Sequence, residues 1–423
     1  MVDKNLLKTV IADQRIASES LFSSGKIIER EGIDICTRYL AQPNVVLISG
    51  LRRCGKSVFA HQLARFGRYA HISFDDERLL GMRAGDLQTM VEAFHELQGP
   101  VDCYVFDEIQ NIEGWELFIG RLRQNRRIII TGSNAHLLSS EMATHLTGRF
   151  DVWTLFPMSF REFLGYRALP LPDRRGLGTE QKSAITATFS EYCRCGGLFE
   201  YYSLGRDHIR TMVWSIVARD ILTRYRVEHT TMLNELASLL IQSFSAKISI
   251  QKLSARLGAR SPHTIKDYTS YLQNAFIVHP LLKYSTKLSE QQSSFKKMYV
   301  TDNGIIESVI VEFSPNRGRF LENCIAIELW RRSTRDRSEM YYWDDNAHEC
   351  DFVIKLGQRI TNCMQACQVL TPDNEKREIA GLCAALKSFG LSEGIILTED
   401  QQATRTVHDC TVHIMPAWQW LIG

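Results

Sequence analysis

The sequence predicts an α/β fold built on a parallel sheet, and three observations carry that prediction. Short apolar runs rich in Val and Ile alternate with helical stretches between residues 45 and 155. The first run, Val45–Ser49, opens into a glycine-bearing turn that leads straight into a helix. A later run over residues 101–106 ends on two carboxylates, Asp107 and Glu108. Strands that are apolar at every position, not every second one, are buried on both faces, as in a parallel sheet covered by helices. Successive parallel strands in turn require right-handed helical crossovers.

In chain order, residues 1–42 read as mainly helical, with Leu21, Ile27, Ile28, Ile33, Ile35 and Leu40 set among charges, and Pro43 ends the region. After the first strand, residues 58–66 form a helix with Phe59, Leu63 and Phe66 on one side. Residues 70–74 are a second strand ending in Asp75, Asp76 and Glu77, and residues 87–97 are helical. The third strand is followed by a helix over 115–124, a fourth strand over 127–131, a helix over 135–146 and a fifth strand over 152–155. A stretch with Pro170, Pro172 and further glycines marks a boundary near residues 165–179. The next stretch, to about residue 244, is helical; a helix-turn-helix candidate follows within 247–302, and mixed helix and strand returns after 318.

A chain of 423 residues is too long for one compact core. Fifty basic against 48 acidic residues leave a net charge of +2, so any basic footprint must be local. The first residues lack the apolar core of a secretory signal, and no uncharged run approaches the ~18 residues that span a bilayer. The eleven cysteines include two close pairs, Cys193/Cys195 and Cys363/Cys367, without partners at zinc-site spacing. Reduced thiols and a cytoplasmic location without membrane association are therefore expected.

Residues 50–57 fit the phosphate-loop pattern G-x4-G-K-[ST] between a strand and a helix. Glycines let the backbone curl so that its N–H groups point at phosphate oxygens beside the positive end of a helix dipole. The nucleotide-binding set is then Gly50, Arg52, Arg53, Cys54, Gly55, Lys56, Ser57 and Val58, with Lys56 on the terminal phosphates. Ser57 and Asp107 are the Mg²⁺ candidates, the latter through water, and Glu108 is placed to orient and deprotonate an attacking water. Such strand ends are the edge of an open α/β sheet at which ligands bind. Ser133, with Thr131 behind it, is a candidate contact to the γ-phosphate or the water; Ser133 or Asn134 equally suits the cap of the following helix. Arg149 can serve the transferring phosphoryl group, in cis or from a neighbouring subunit, or form an ion pair on a turn.

These residues bring out a resemblance that covers nearly the whole chain. Residues 48–57 (ISGLRRCGKS), 106–115 (FDEIQNIEGW), 130–138 (ITGSNAHLL), 146–149 (LTGR) and 155–163 (LFPMSFREF) resemble prokaryotic AAA-type ATP-binding proteins. Those proteins carry a C-terminal domain of unknown function related to restriction endonucleases. Gly196-Gly197 and 302–304 (DNG) fit as well, although Leu198 and Phe199 stand where the family usually has a proline. The resemblance implies ATP and Mg²⁺ as cofactors, adenine preference and ATP hydrolysis. It also implies an AAA-type domain over 1–164, a helical lid over 165–245, a winged-helix-like module over 246–304 and a nuclease-like α/β domain over 305–423.

Within 250–274, Ser261 reads as the cap and Pro262 as the first residue of a helix that turns Ile265, Tyr268 and Leu272 inward and His263, Lys266 and Ser270 outward. Lys252, Arg256, Arg260 and Lys266, with Lys283, Lys287, Lys296 and Lys297 on a following wing, are candidate DNA phosphate contacts; packing or subunit contact is the other use of such a module. In the nuclease-like pattern implied by the resemblance, Glu322 and Asp351 fit the metal-binding carboxylates. Gln365 and Cys367, however, stand where an acidic residue and a lysine belong, so this domain is expected to be catalytically degenerate. The overall expectation is an ATP-driven switch acting on DNA or on a protein bound by the C-terminal domain, with oligomerisation open. An ATP-gated nuclease and a non-hydrolysing nucleotide-dependent module are the alternatives.

Overall fold

The computed structural model describes residues 2–23, 27–133, 148–172, 178–310 and 316–423. The helix expected over 135–146 and the Asn134 cap lie outside the described residues. The chain forms two compact units, residues 1–155 and 156–423.

The first unit is the expected parallel α/β layer. Its strands are β1 (Val45–Ser49), β2 (Tyr69–Ser73), β3 (Cys103–Asp107), β4 (Arg127–Gly132) and β5 (Phe150–Thr154), in the order β2-β3-β4-β1-β5, all parallel. Every residue of β1 and β3 is buried, as apolar runs without alternation require. One face packs Val45, Leu47, Ile72, Phe106, Ile128 and Ile130 against Leu7, Phe94 and Trp115. Ser73, Asp107 and Thr131 fall in line across the sheet, which gathers three polar side chains at the carboxyl ends of the strands. Two strand limits differ from the sequence expectation because pairing, not apolarity, sets them. Asp107 is inside β3, and β5 starts at Phe150, opposite Val45. The N-terminal helical region is two helices, Lys4–Ser23 and Ile33–Leu40.

The second unit begins with a helix over Phe160–Tyr166, closed at its start by a capping box between Ser159 and Glu162. Helices Thr179–Cys195, Phe199–Leu204, Arg206–Ile216 and Thr230–Gln242 follow. Strands β6 (Ala246–Ile248), β7 (Val278–Leu281) and β8 (Lys296–Val300) make a small antiparallel sheet, ordered β6-β8-β7, beside helices Ile250–Arg256 and Pro262–Asn274. Ser261 caps the latter by accepting from the His263 N–H, and Ile265, Tyr268 and Leu272 are buried, as read from the sequence, together with Thr269. The chain ends in a mixed six-stranded sheet of β9 (Glu339–Asp344), β10 (Glu349–Leu356), β11 (Arg359–Ala366), β12 (Glu393–Thr398), β13 (Ala403–Val407) and β14 (Cys410–Pro416), ordered β13-β14-β12-β11-β10-β9 and covered by helix Glu375–Phe389.

The turn at Gly196-Gly197 is held without the proline. The buried Asp302 carboxylate accepts the Gly197 N–H at 2.6 Å and caps its own helix through the Gly304 N–H at 2.8 Å. Burial pushes that carboxyl up to about 7, against the pull of its N–H donors. All eleven cysteines are free thiols. Among the described residues no helix is long and apolar enough to cross a membrane.

Two imidazoles on the second face of the parallel sheet set a pH limit. His61 bonds Tyr69 Oη at 3.0 Å and lies tilted, ring centroids 4.3 Å apart, against His71, whose ring nitrogens are shielded and have no hydrogen-bond partner among the described residues. Burial lowers His61 to about 3 and His71 to about 4 from 6.5. In that window the unfolded chain binds more protons than the folded one. The stability is therefore present above pH 6.5 and lost as pH falls through about 4. Chemical denaturation at pH 7 and pH 4.5 should show this loss, and His71→Leu should shrink it relative to the parent.

Candidate functional site

The loop after β1 takes its shape from three left-handed backbone positions, Gly50 (φ 148°), Arg53 (φ 65°) and Gly55 (φ 97°). A Cβ on Gly50 would stand 2.2 Å from the Leu155 carbonyl oxygen, so only glycine lets the loop leave β1 alongside the end of β5. The same carbonyl accepts from the Cys54 thiol at 3.3 Å; burial raises that thiol, which stays neutral. Arg30, which sequence reasoning passed over, is buried and donates to the Cys54 carbonyl at 2.8 Å, bracing the loop from the far side.

Lys56 is the first residue of helix Lys56–Ala64 and is buried despite its charge. Its ammonium donates to the loop's own carbonyls, Gly50 O at 3.1 Å and Leu51 O at 3.0 Å. An ammonium ringed by carbonyl oxygens at a helix start, below a glycine cradle, fits phosphate oxygens as replacement acceptors. Val58 is half-buried in the first helical turn. Arg52 pairs with Asp75 at 3.3 Å, beyond the end of β2, and Arg53 is exposed on the loop.

The carboxylates arrive from β3. Asp107 accepts the Ser57 hydroxyl at 2.6 Å with one oxygen and the Thr131 hydroxyl with the other, so one side chain ties the loop helix to β3 and β4. Ser57 and Asp107 are thus within reach of a shared Mg²⁺, their oxygens being the hard donors that ion takes. Glu108 has a left-handed backbone (φ 53°) that costs of order 1–3 kcal/mol in a non-glycine residue. Its N–H donates to the Thr131 carbonyl at 3.2 Å. Its carboxylate accepts from Gln110 Nε2 and, at 3.5 Å, from Ser133 Oγ. Burial raises the Glu108 carboxyl, the Lys56 charge opposes this, and Asp107 reinforces it.

The structure therefore brings Lys56, Ser57, Asp107, Glu108, Thr131 and Ser133 to one edge. It adds Asp75, Gln110 and Asn111, the last donating to Asp75 at 3.2 Å. Asp75 was visible as an acidic strand end; Gln110 and Asn111 were visible only as part of the 106–115 stretch that carries the resemblance, with no role assigned to them.

Arg149 is not brought there. It is exposed, precedes Phe150, and accepts the Val45 N–H on its carbonyl at 3.2 Å. The length of β1, roughly 15 Å at ~3.3 Å per residue, separates it from Gly50. A cis role at the phosphates is corrected by this placement.

The second set of expected residues also assembles differently. Glu322 and Asp351 face each other across Lys297 of β8, at 3.1 and 2.6 Å. Lys297 is buried, which corrects its expected place on an exposed DNA-contacting wing. Gln365 accepts from the Asp351 N–H at 3.1 Å and donates to Glu378 at 2.8 Å, while the Cys367 thiol turns to the Val369 carbonyl.

Parts of the chain match known proteins. Residues 42–164 match a family described as AAA domain, and residues 188–316 match a domain of unknown function (DUF8612) that ends before the six-stranded sheet. The chain is 29% identical over 441 residues to an uncharacterized protein of Methanocaldococcus jannaschii, covering 99% of this chain and 96% of the relative. It is 28% identical over 351 residues to an uncharacterized protein of Haemophilus influenzae, covering 78% and 84%. Among solved structures it is similar to a Walker-type ATPase of Pyrococcus abyssi, with TM-score 0.43 and 14% identity, covering 67% of this chain and 96% of that one. The first unit is thus an α/β domain of the P-loop AAA type, its phosphate loop joined to its acidic strand end through Ser57 and Asp107.

Proposed function

We propose that the protein is a Mg²⁺-dependent ATPase that works as a nucleotide-driven switch. The observation that carries this reading is the 2.6 Å bond from Ser57 to Asp107, which sets a phosphate loop beside a strand end whose next residue is a shielded carboxylate. Lys56 exchanges its own loop carbonyls for the terminal phosphates, and the 50–58 backbone cradles the rest. Ser57, and Asp107 through water, would hold Mg²⁺, which would neutralise phosphate charge when bound. Glu108 takes the proton from water as its oxygen bonds to the γ-phosphorus and the bond to the β–γ bridging oxygen breaks. Ser133 and Gln110 hold the Glu108 carboxylate in place. In the second unit, the helices before residue 246 act as a lid, 246–304 as a winged-helix-like module and 305–423 as a nuclease-like fold that has lost cutting activity. Exposed Lys252, Arg256 and Lys266 on helices Ile250–Arg256 and Pro262–Asn274, with Arg260 in the turn between them, support DNA as the partner to test first.

Glu108→Gln should keep ATP binding and lose hydrolysis by about 10²-fold or more, whereas Lys56→Ala should lose binding itself. Phosphate release and equilibrium nucleotide binding separate the two, and unchanged binding in Lys56→Ala would sink the reading. A base must be ionised to act. Since Glu108 is raised, the acid limb of the parent's pH–rate profile should therefore fall at higher pH than an ordinary carboxylate would give, and Glu108→Gln should lack that limb.

Arg149 favours assembly. An exposed arginine on the edge away from its own loop suits the phosphates of a neighbouring copy. ATPase activity per subunit should then rise with protein concentration, and mixing Arg149→Ala with Lys56→Ala should restore activity that neither has alone. A flat concentration response with no complementation would remove Arg149 from the mechanism.

A further inference from the structure

A heavily charged cluster around a buried lysine lies in the second unit, outside the nucleotide site. Three carboxylates, one from helix Arg317–Asp336 and two from β10, converge on one atom, Lys297 Nζ. Glu322 Oε1 stands at 3.1 Å, Glu349 Oε1 at 2.7 Å and Asp351 Oδ1 at 2.6 Å. An ammonium has three N–H donors, and each has its own carboxylate here. Further donors from the protein meet the same carboxylates. Asp351 Oδ2 takes the Ala366 N–H at 2.9 Å, Glu322 Oε1 also takes the Tyr299 hydroxyl at 2.7 Å, and Glu349 Oε2 takes Lys247 at 2.9 Å. Helix Arg317–Asp336 is clamped to β8 by Asn323, which accepts the Val300 N–H at 2.9 Å and donates to the Val300 carbonyl at 2.8 Å. Glu322 and Lys297 therefore cannot drift apart without breaking that clamp.

Oxygens of three carboxylates gathered around one point are the donor set of a hard divalent cation. We propose that Lys297 is the resident cation of this pocket, its ammonium standing where a divalent metal would otherwise sit among Glu322, Glu349 and Asp351. The native chain then excludes Mg²⁺ and Mn²⁺ there. The two residues next along the expected metal pattern follow suit, since the Gln365 amide is engaged by Asp351 N–H and Glu378, and the Cys367 thiol by the Val369 carbonyl. Lys297 stays charged, because the surrounding carboxylates outweigh the desolvation that alone would lower it. Charge explains why a lysine is tolerated in the interior. A buried cation without partners is strongly disfavoured, and three carboxylates without a cation equally so. The inference is independent of the ATPase reading.

Removing the ammonium should turn the pocket into a metal site. Nucleotide-free full-length protein is titrated with Mn²⁺, following free Mn²⁺ by electron paramagnetic resonance and thermal unfolding in parallel. The parent should show no Asp351-dependent Mn²⁺ binding. Lys297→Met should be less stable, bind one additional Mn²⁺ per chain at least about tenfold more tightly than the parent at this pocket, and regain thermal stability with it. Adding Asp351→Asn to Lys297→Met should abolish both effects, which separates this pocket from any Mn²⁺ near Asp107. If Lys297→Met folds only with Mn²⁺ present, chelation should unfold it. Parent protein that binds Mn²⁺ through Asp351, or folded Lys297→Met that ignores both Mn²⁺ and chelator, overturns the proposal.

Discussion

The fold of the nucleotide edge depends on one carboxylate. Asp107 accepts from Ser57 on the loop helix and from Thr131 on the neighbouring strand, and both bonds exist because β3 and β4 run parallel and in register. A shift of one residue in that pairing would turn Asp107 into the apolar layer and carry Phe106 to the edge. The hydrophobic core therefore does chemical positioning: Phe106 and Ile130 are held by packing, and the residues after them arrive at the site as a consequence. The left-handed kink at Glu108 completes this, since it ends the strand and starts the short turn that brings Gln110 onto the Glu108 carboxylate.

Much of this was legible in sequence because it is local. A phosphate loop is eight consecutive residues, and its glycines mark the positive-φ positions that the structure shows at Gly50 and Gly55. Strands such as Val45–Ser49 announce themselves by being apolar throughout, and Ser261-Pro262 carries its own capping chemistry. The ends of elements were less legible. Apolarity stops at Phe106, whereas backbone pairing continues through Asp107.

What could not be read was a role fixed by distant segments that carry no motif of their own. Lys297 looks in sequence like one of several wing lysines, and only the packing of β8 against helix Arg317–Asp336 and β10 gives it three carboxylates. Arg149 looks like a site residue because it lies near the loop's strands in sequence. Parallel topology instead returns each strand to the opposite edge before it starts, so a residue just ahead of β5 begins far from the phosphates. Arg30 illustrates the converse, an unremarked arginine that the fold lays against the Cys54 carbonyl.

The two charged interiors follow opposite logics, and the contrast shows which can respond to a ligand. At the phosphate loop, Lys56 is satisfied by carbonyl dipoles, weaker acceptors than phosphate anions, so an anion entering the loop improves its surroundings. At Lys297 each N–H donor already has its own carboxyl oxygen, although burial raises Glu322 to about 7, and an incoming anion or cation would have to displace a complete set. A half-satisfied charge is the one poised for exchange. The first unit therefore has the chemistry of a site that binds and releases, and the Lys297 cluster has that of a fixed joint between β8, helix Arg317–Asp336 and β10.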